Sequence, residues 1–473
     1  MGGLMPADGG RRPRRGRALV IGGSLTGMLA AAALAETMAE VIVVERYELP
    51  HGPLPRQGVP QARHAHLLWS GGARAIEELL PGATERLLAA GARHIGVPED
   101  LVVLTSGGWL TRFPEQQHFL SCTRDLVDWV VRDLAGAKPR VRTLPGRTAL
   151  GLRGTTTRVT GVLVRGGRRE ETLEADLVVD ASGRASAMPR WLDRLGLPAV
   201  RTDVVDSGLG YASRLFHAPP GTGGFPAVNV QADPRQHVPG LNGTILPVED
   251  GRWLVTLSGT RGGQPTGEPA AFEAFARSLR HPVIGDLVTR ATPLTEVTVS
   301  HSTANRRRRY ERMHVWPDGL VVLGDALATY NPLYGHGMSV AAQHALVLRD
   351  QVARNPGSGL ARRVQRAAAR ATDAAWTLAG TQDLRYPGAE GRSPGPLGTL
   401  LTGYTDLLMR AATHRRSAAR ALLDVLSLSA GQATVLRPDA LAAVLNPVHP
   451  EPAQDPPFTE EERSLMISLF TGH

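Results

Sequence analysis

A single cysteine, Cys122, stands in 473 residues. No intrachain disulfide can form, and such thiol economy fits a reducing compartment. Cys122 itself reads as a buried, inert thiol. Aromatic residues are scarce at 5%. The dense basic run Arg306–Arg309 has none interleaved, so it offers no stacking platform for bases. Outside the region following the N-terminal arginines, no stretch reaches the ~20 apolar residues of a membrane span. Metal-ligand clusters are also missing: His64 and His66 stand at strand spacing without a third ligand group, so no metal is expected.

What is present describes an ordinary globular chain. Hydrophobic residues make up 42% and charged residues 21%, while 53 glycines and 35 prolines supply many tight turns. The length allows two or three lobes. The formal charge is +9, but its distribution argues against a nucleic-acid partner. Arg11, Arg12, Arg14, Arg15 and Arg17 lie in a Gly/Pro-rich leader, read as a disordered arm over residues 1–16. Arg306–Arg309 reads as a solvated face or a lobe-to-lobe contact. Twin arginines before the apolar stretch Leu19–Ala35 resemble an export signal. A strand, a glycine turn and a helix describe the same residues better, because an acid ends the next strand. A cytoplasmic location is the expectation.

Arg17–Ile21 is a short β-branched run ending in glycines, the pattern of a buried parallel strand. Leu25–Met38 is alanine-rich and helical, and Val41–Val44 forms the next strand, closed by Glu45. Residues 46–65 are a Pro-, Gly- and His-rich loop of a length that usually carries function. Leu67–Leu80 is helical in pattern, and Thr123 or Asp125 caps another helix with Leu126, Trp129, Val130 and Leu134 on one face. Val141 to Leu177 suggests an antiparallel meander, and Leu177–Val179 a second buried strand. Half-exposed alternation from about Pro198 to Trp316 marks a second, antiparallel lobe. Leu320–Leu323 returns to the buried parallel type, and beyond Arg354 the chain is mainly helical. The apolar stripe from Leu407 to Leu428 reads as core, with part of it walling a substrate cavity.

Three motifs carry chemistry. In Gly22-Gly23-Ser24-Leu25-Thr26-Gly27 the glycines permit a tight turn and close backbone approach to a pyrophosphate, and the following helix N-terminus offers it free N–H groups. Glu45, 23 residues after Gly22, is placed to accept hydrogen bonds from a ribose diol. Ser24 stands where G-x-G-x-x-G has its second glycine. The second motif, Leu177–Ser186 with Asp180, Ser182 and Gly183, is a strand followed by a tight turn. The third is Gly319–Ala326, with Gly324-Asp325 after a buried strand, followed by Asn331–Ser339. A carboxylate there is costly unless it finds partners, and sugar hydroxyls would supply them.

Their order and spacing resemble the flavin monooxygenases of the aromatic-hydroxylase superfamily over about residues 17–350. Ser182 stands where that family has an aspartate. The segment Arg56–Arg74, with Val205–Gly208, Tyr211–Phe216, Gly251–Trp253 and Tyr334–Ser339, resembles actinobacterial polyether epoxidases of the monensin and lasalocid type. The resemblance implies an α/β fold with an α+β second lobe: a Rossmann-like FAD-binding domain, an antiparallel-sheet substrate domain and C-terminal helices. The FAD-binding domain falls on residues 17–85, 120–197 and 318–353, the substrate domain on 86–119 and 198–317, and the helical region on 354–473. Cofactor contacts fall on Gly22, Gly23, Ser24, Gly27, Glu45, Arg46, Arg124, Ala149, Asp325, Pro332, Gly335, His336, Gly337 and Met338. Arg63, His64 and His66 become candidates facing the flavin pocket.

In that family reduced FAD and O2 give a C4a-hydroperoxide that transfers oxygen, so no protein nucleophile is needed. The implied activity is epoxidation of a linear polyene polyketide, free or held on a carrier or ester. Electrons come from NAD(P)H directly or through a separate flavin reductase, since no second glycine-rich fingerprint is present. A ring hydroxylase or a flavin-dependent double-bond reductase is the alternative. A halogenase fits less well, because no W-x-W-x-I-P segment occurs. The third possibility is a non-catalytic nucleotide-binding or exported protein.

Overall fold

A computed structural model describes residues 15–301, 303–354, 357–393, 395–446, 451 and 453–471. The leader's residues 1–14 lie outside the described part.

The chain begins with β1 (Arg15–Ile21), α1 (Leu25–Leu34) and β2 (Met38–Val44). The first strand starts two residues earlier than its apolar run, because Arg15 already pairs with Met38. Further along come α2 (Arg124–Gly136), β3 (Val141–Leu144), β4 (Leu177–Asp180), β5 (Leu320–Val322), α3 (Gly337–Arg354) and α4 (Leu360–Asp383). The five strands form one parallel sheet in the order β5-β4-β1-β2-β3. Val41–Val44, Val178, Val179 and Leu320–Val322 are almost wholly inaccessible, as a sheet covered on both faces requires.

Three expectations are corrected here. Val141–Leu144 is no part of a meander; it extends the parallel sheet, and the antiparallel three-stranded piece covers only Arg147–Glu174. Leu68–Trp69 is a short strand before the helix Ser70–Leu79, because both residues pair with Phe119 and Leu120. The third concerns α4. It packs its Val364, Ala368 and Ala375 into the first core, and Gln365 bonds both backbone groups of Val322 in β5. It is therefore continuous with the nucleotide-side lobe, although sequence grouped it with the C-terminal helices.

A second, eight-stranded sheet is built mainly from Gly210–His217, Arg252–Gly259, Leu241–Val248, Ala227–Val230 and Leu101–Thr105. Neighbours are antiparallel except Ala227–Val230 with Leu101–Thr105, a parallel pair made possible by the long stretch of chain between them. Its core gathers Phe216, Phe225, Trp253 and Phe272. The helices Pro396–Ala412 and Arg416–Leu426 form a third cluster around Val103, Leu110 and Phe113. The Leu407–Leu428 stripe is mostly interior, with Leu408, Leu422 and Leu423 buried, whereas Leu407 itself is exposed.

Arg306–Arg309 is not a solvated face. It lies in a strand beside α4, where Arg307 pairs with Asp373 at 2.7 Å and donates to the Ala369 carbonyl at 2.9 Å. Arg308 donates to the Ala326 carbonyl at 2.7 Å, and Arg309 pairs with Asp203 at 2.7 Å. The alternative reading, a contact between structural units, describes this run.

Candidate functional site

The turn from β1 into α1 is shaped by glycines that nothing larger can replace. Gly22 has φ +100°, and a Cβ there would lie 2.7 Å from the Ala181 carbonyl oxygen. A Cβ on Gly27 would come within 1.7 Å of the Gly22 carbonyl oxygen. Ser24 occupies the N-cap in extended backbone with no side-chain capping bond. Its hydroxyl and the first-turn N–H groups of α1 therefore remain available to an anion.

Glu45 is buried at the end of β2. Its carboxylate accepts from Gly23 N at 2.7 Å and Tyr47 N at 3.0 Å. Arg56, a residue the sequence reading did not single out, pairs with Glu45 at 2.9 Å and donates to the Gly23 carbonyl at 2.9 Å. Its signals were its place in the long Pro/Gly loop and at the head of the Arg56–Arg74 segment. Arg46, which was singled out, is exposed and lies over the Tyr47 ring. Ala149 sits in a strand opposite Val164; two residues earlier, Arg147 N donates to the Glu45 carbonyl at 2.8 Å.

Asp180 ends β4, Asp325 stands in the turn that follows the adjacent β5, and the two meet different fates. Asp180 is fully buried and already satisfied, accepting from the hydroxyls of Ser182 and Ser186 at 2.5 Å each. Ser182 thus serves as an internal partner at the position of the family's aspartate. Asp325 accepts no hydrogen bond from any described residue. Burial raises its carboxyl pKa, and the charges of Arg124 and Arg184 oppose that shift. Gly324 before it has φ +58°, and a Cβ there would strike the Thr26 side chain at 2.4 Å, so the third motif packs directly on the first. Gly324 N donates to His344 Nδ1 at 3.0 Å, which leaves the proton of this buried, neutral imidazole on Nε2, 3.1 Å from Thr372 Oγ1. Arg124 begins α2, behind the Thr123 cap, and bonds Asp128 at 2.9 Å.

The loop before α3 is tied down from below. Asn331 Oδ1 accepts from Leu333 N at 3.0 Å, and Gly335 takes φ +66° before the helix opens at Gly337. Buried Asp383, at the end of α4, accepts from Asn331 at 2.9 Å, Tyr334 OH at 2.9 Å and Asn305 at 2.6 Å. Pro332 lies in the one-turn helix Pro332–Tyr334, and Met338 is buried in the first core. His336 turns its Nε2 to the Leu426 carbonyl at 3.0 Å, while its Nδ1 and the Ser339 hydroxyl are buried without partners among the described residues.

The loop after Arg56 carries the remaining candidates to the large sheet. His64 is buried; its Nδ1 lies 2.8 Å from Ser213 Oγ and its ring meets Tyr211 edge-on at 4.1 Å. Ser213 and Thr256 are cross-strand partners with hydroxyls 2.6 Å apart, and Thr256 Oγ1 also accepts from Ala65 N at 3.0 Å. Burial, with the charges of His66 and Arg63 adding to it, lowers the His64 pKa to about 3. His66 is lowered to about 4 by burial and the nearby Arg124, with its Nδ1 against the His64 carbonyl at 2.8 Å. Arg63 is exposed. His64 ties its loop to the large sheet through Ser213.

The unpartnered Asp325 carboxylate, the cradle closed by Gly22 and Gly27, and the free start of α1 together fit a dinucleotide. A family model described as FAD binding domain matches residues 15–380. The chain belongs to this FAD-binding family, whose members are flavin-dependent monooxygenases. Protein Rv3254 of Mycobacterium tuberculosis is 32% identical over 386 residues, covering 78% of this chain and 80% of the relative. A kynurenine 3-monooxygenase of Salinispora arenicola is 29% identical over 359 residues, covering 72% and 74%. A triple mutant of the flavin-dependent brominase Bmp2 shares the fold, with a TM-score of 0.65 at 15% identity, over 90% of this chain and 99% of that one. The mixed α/β monooxygenase fold expected from the motifs is the fold found. Among the described residues, no helix is long and apolar enough to cross a membrane.

Proposed function

We propose that this protein is an FAD-dependent monooxygenase that epoxidises alkenes of a linear, apolar polyene polyketide in polyether biosynthesis. The observation that carries this reading is the state of His64. It is the buried imidazole between the flavin-side motifs and the large sheet, with its Nδ1 2.8 Å from Ser213 Oγ, its ring edge-on to Tyr211 at 4.1 Å, and its pKa lowered by burial to about 3. A ring hydroxylase gains rate from a base that takes its phenol's proton, and such a base works best near the operating pH. So weak a base gives little of that help at neutral pH. An alkene has no proton to surrender.

FAD would be held by the Gly22–Gly27 turn and Ser24 at the pyrophosphate, by Glu45 and Arg56 at the adenosine ribose, and by Asp325, with Arg124 beside it, at the ribityl chain. Gly335, Gly337 and Met338, at the start of α3, would face the ring system. When bound and reduced by NAD(P)H-derived electrons, FAD supplies activated oxygen from O2. The chain's own residues exclude water and fix the double bond in place. Tyr211, whose pKa burial raises further above neutrality, and neutral His64 would present uncharged groups to an apolar substrate.

Hydroxylation of an aromatic ring is the second reading, favoured by the name of the Salinispora relative. Both are tested by incubating the reduced holoprotein with candidate polyenes and with phenols under ¹⁸O2. Epoxide carrying one label per oxidised alkene is the expected product. Label in the phenol, with the polyene recovered intact, would replace epoxidation by ring hydroxylation.

A further inference from the structure

One further cluster of metal-ligating side chains lies away from this site. The strands Arg93–Val97 and Gln117–Ser121 pair antiparallel, with Gly96 opposite His118 and His94 opposite Leu120. The two-residue period of a strand puts His94 and Gly96 on one face, and His118 stands across from Gly96 on that same face. The two imidazole centroids are 4.6 Å apart. Glu115 enters from the loop before the second strand. A Cβ on Gly96 would lie 3.0 Å from Glu115 Oε2, so the glycine is what lets this carboxylate lie across the strand.

The spacing is informative. Glu115 Oε1 is 3.6 Å from His94 Nε2 and 3.3 Å from His118 Nδ1. Charge-assisted hydrogen bonds are shorter, at about 2.7–2.9 Å. Two donors on a tetrahedral zinc ion, each bonded at ~2.0–2.1 Å, stand roughly 3.3 Å apart. All three donor atoms lie within 4.8 Å of one another, and no other group among the described residues converges in this way. The donors are also partly open to solvent, with side-chain exposures of 41% for His94, 38% for Glu115 and 24% for His118, so an ion can reach them.

We propose that His94, Glu115 and His118 form a zinc-binding site, with water completing the coordination. Two imidazoles and one carboxylate suit this borderline cation better than calcium or magnesium, which prefer oxygen ligands. The ion would clamp the two strands together. The second strand also pairs with Leu68–Trp69, directly after the loop that carries His64 and His66. Bound zinc therefore stiffens the sheet from which that loop departs. The positive charge of Arg74 lies close to His118 and works against a dication, which weakens the site.

The test is a Zn2+ titration of the full-length, FAD-loaded protein against a chromogenic chelator. One equivalent is expected to bind. His94→Ala and His118→Ala should each weaken binding at least ~10-fold, and the double variant should abolish it while leaving flavin content unchanged. Zn2+ should raise the melting temperature of the wild type and not that of the double variant. Should an alanine variant fail to fold, His94→Gln and His118→Gln keep a polar side chain and serve in its place. A wild type that binds no zinc at ~100 μM overturns the proposal, as does equal zinc affinity in the wild type and the double variant.

Discussion

The parallel sheet and the large sheet offer the candidate site different materials. The parallel sheet presents main-chain groups: the turn at Gly22–Gly27, the start of α1, and carboxylates at strand ends. The large sheet presents side chains, with Ser213 and Thr256 paired across two strands and bonded to His64 and Ala65. A site made of backbone tolerates no added atom at its glycines. A site made of side chains can trade hydroxyls and keep its frame. Changes on the first side should therefore abolish cofactor binding, while changes on the second should alter what is done with the cofactor.

The largest effect is expected from Gly27→Val. A Cβ would sit 1.7 Å from the Gly22 carbonyl oxygen, so the turn must open or the helix must shift. Overpacking of this kind costs about 1–3 kcal/mol even in cores that can relax, and here it displaces the phosphate cradle itself. The purified variant should be colourless, with FAD affinity at least ~100-fold weaker by fluorescence titration. Flavin retained at wild-type affinity would show that the main chain is not what binds the pyrophosphate.

Acid should come next. His336 and His344, on the parallel-sheet side, are each lowered to about 4 by burial, as is His66, and His64 falls to about 3. Their unfolded values lie near ~6.5. Between these limits the unfolded chain binds more protons than the native one, so stability is full above about pH 6.5 and is lost as pH falls towards 4. Each group contributes up to about 1.4 kcal/mol per pH unit inside that window. Urea midpoints measured from pH 7.5 to 5 should fall steadily, and His344→Asn should reduce the slope while costing some stability at pH 7.5. A flat profile would mean that these imidazoles titrate in the native state as they do in the unfolded chain.

The same contrast explains what could be read in the chain. Gly22, Gly27, Glu45 and Asp325 were legible because turn geometry and strand-end chemistry restrict residue type at fixed spacings. Arg56 was not, since its contact with Glu45 depends on how an irregular loop folds back. Arg46, next to Glu45 in sequence, points away. Arg306–Arg309 stayed open between a solvated face and a lobe-to-lobe contact for a related reason. Charge alone suggested solvent, whereas Asp373 and Asp203 come from distant parts of the chain to neutralise it. The packing of α4 was hidden at the same level, because composition reports helicity but not the core into which the helix packs. The His94–Glu115–His118 group was equally hidden, since strand pairing assembles it from two separate segments.

Asp325→Ala sharpens the comparison by separating binding from stability. Its side chain is partly exposed, partial burial raises its pKa, and no described residue hydrogen-bonds it. Removing it should stabilise the cofactor-free protein by a fraction of the usual penalty for an unpaired buried polar group, about 1–3 kcal/mol. FAD affinity should fall ~10- to 100-fold, because a hydrogen bond to a charged group is worth about 1.5–3 kcal/mol. Thermal melts without flavin and flavin titrations must therefore move in opposite directions. A variant that loses both would place Asp325 among the structural residues.

The smallest effect belongs to Ser213→Ala, on the large-sheet side. It removes the hydroxyl that His64 and Thr256 share, at 2.8 and 2.6 Å. A neutral hydrogen bond is worth about 0.5–1.5 kcal/mol, so the fold should survive and FAD affinity should stay within ~3-fold of wild type. What should change is the fate of the oxygen. A His64 ring freed from Ser213 no longer holds one orientation beside Tyr211, and the substrate wall loosens. The ratio of product formed to NAD(P)H consumed should fall ~2- to 5-fold, since misplacing a substrate costs rate far more readily than it costs binding. An unchanged ratio would assign the Ser213–His64 contact to lobe packing alone. In that case the side chains of the large sheet would be holding the two lobes together, and the substrate would be positioned elsewhere.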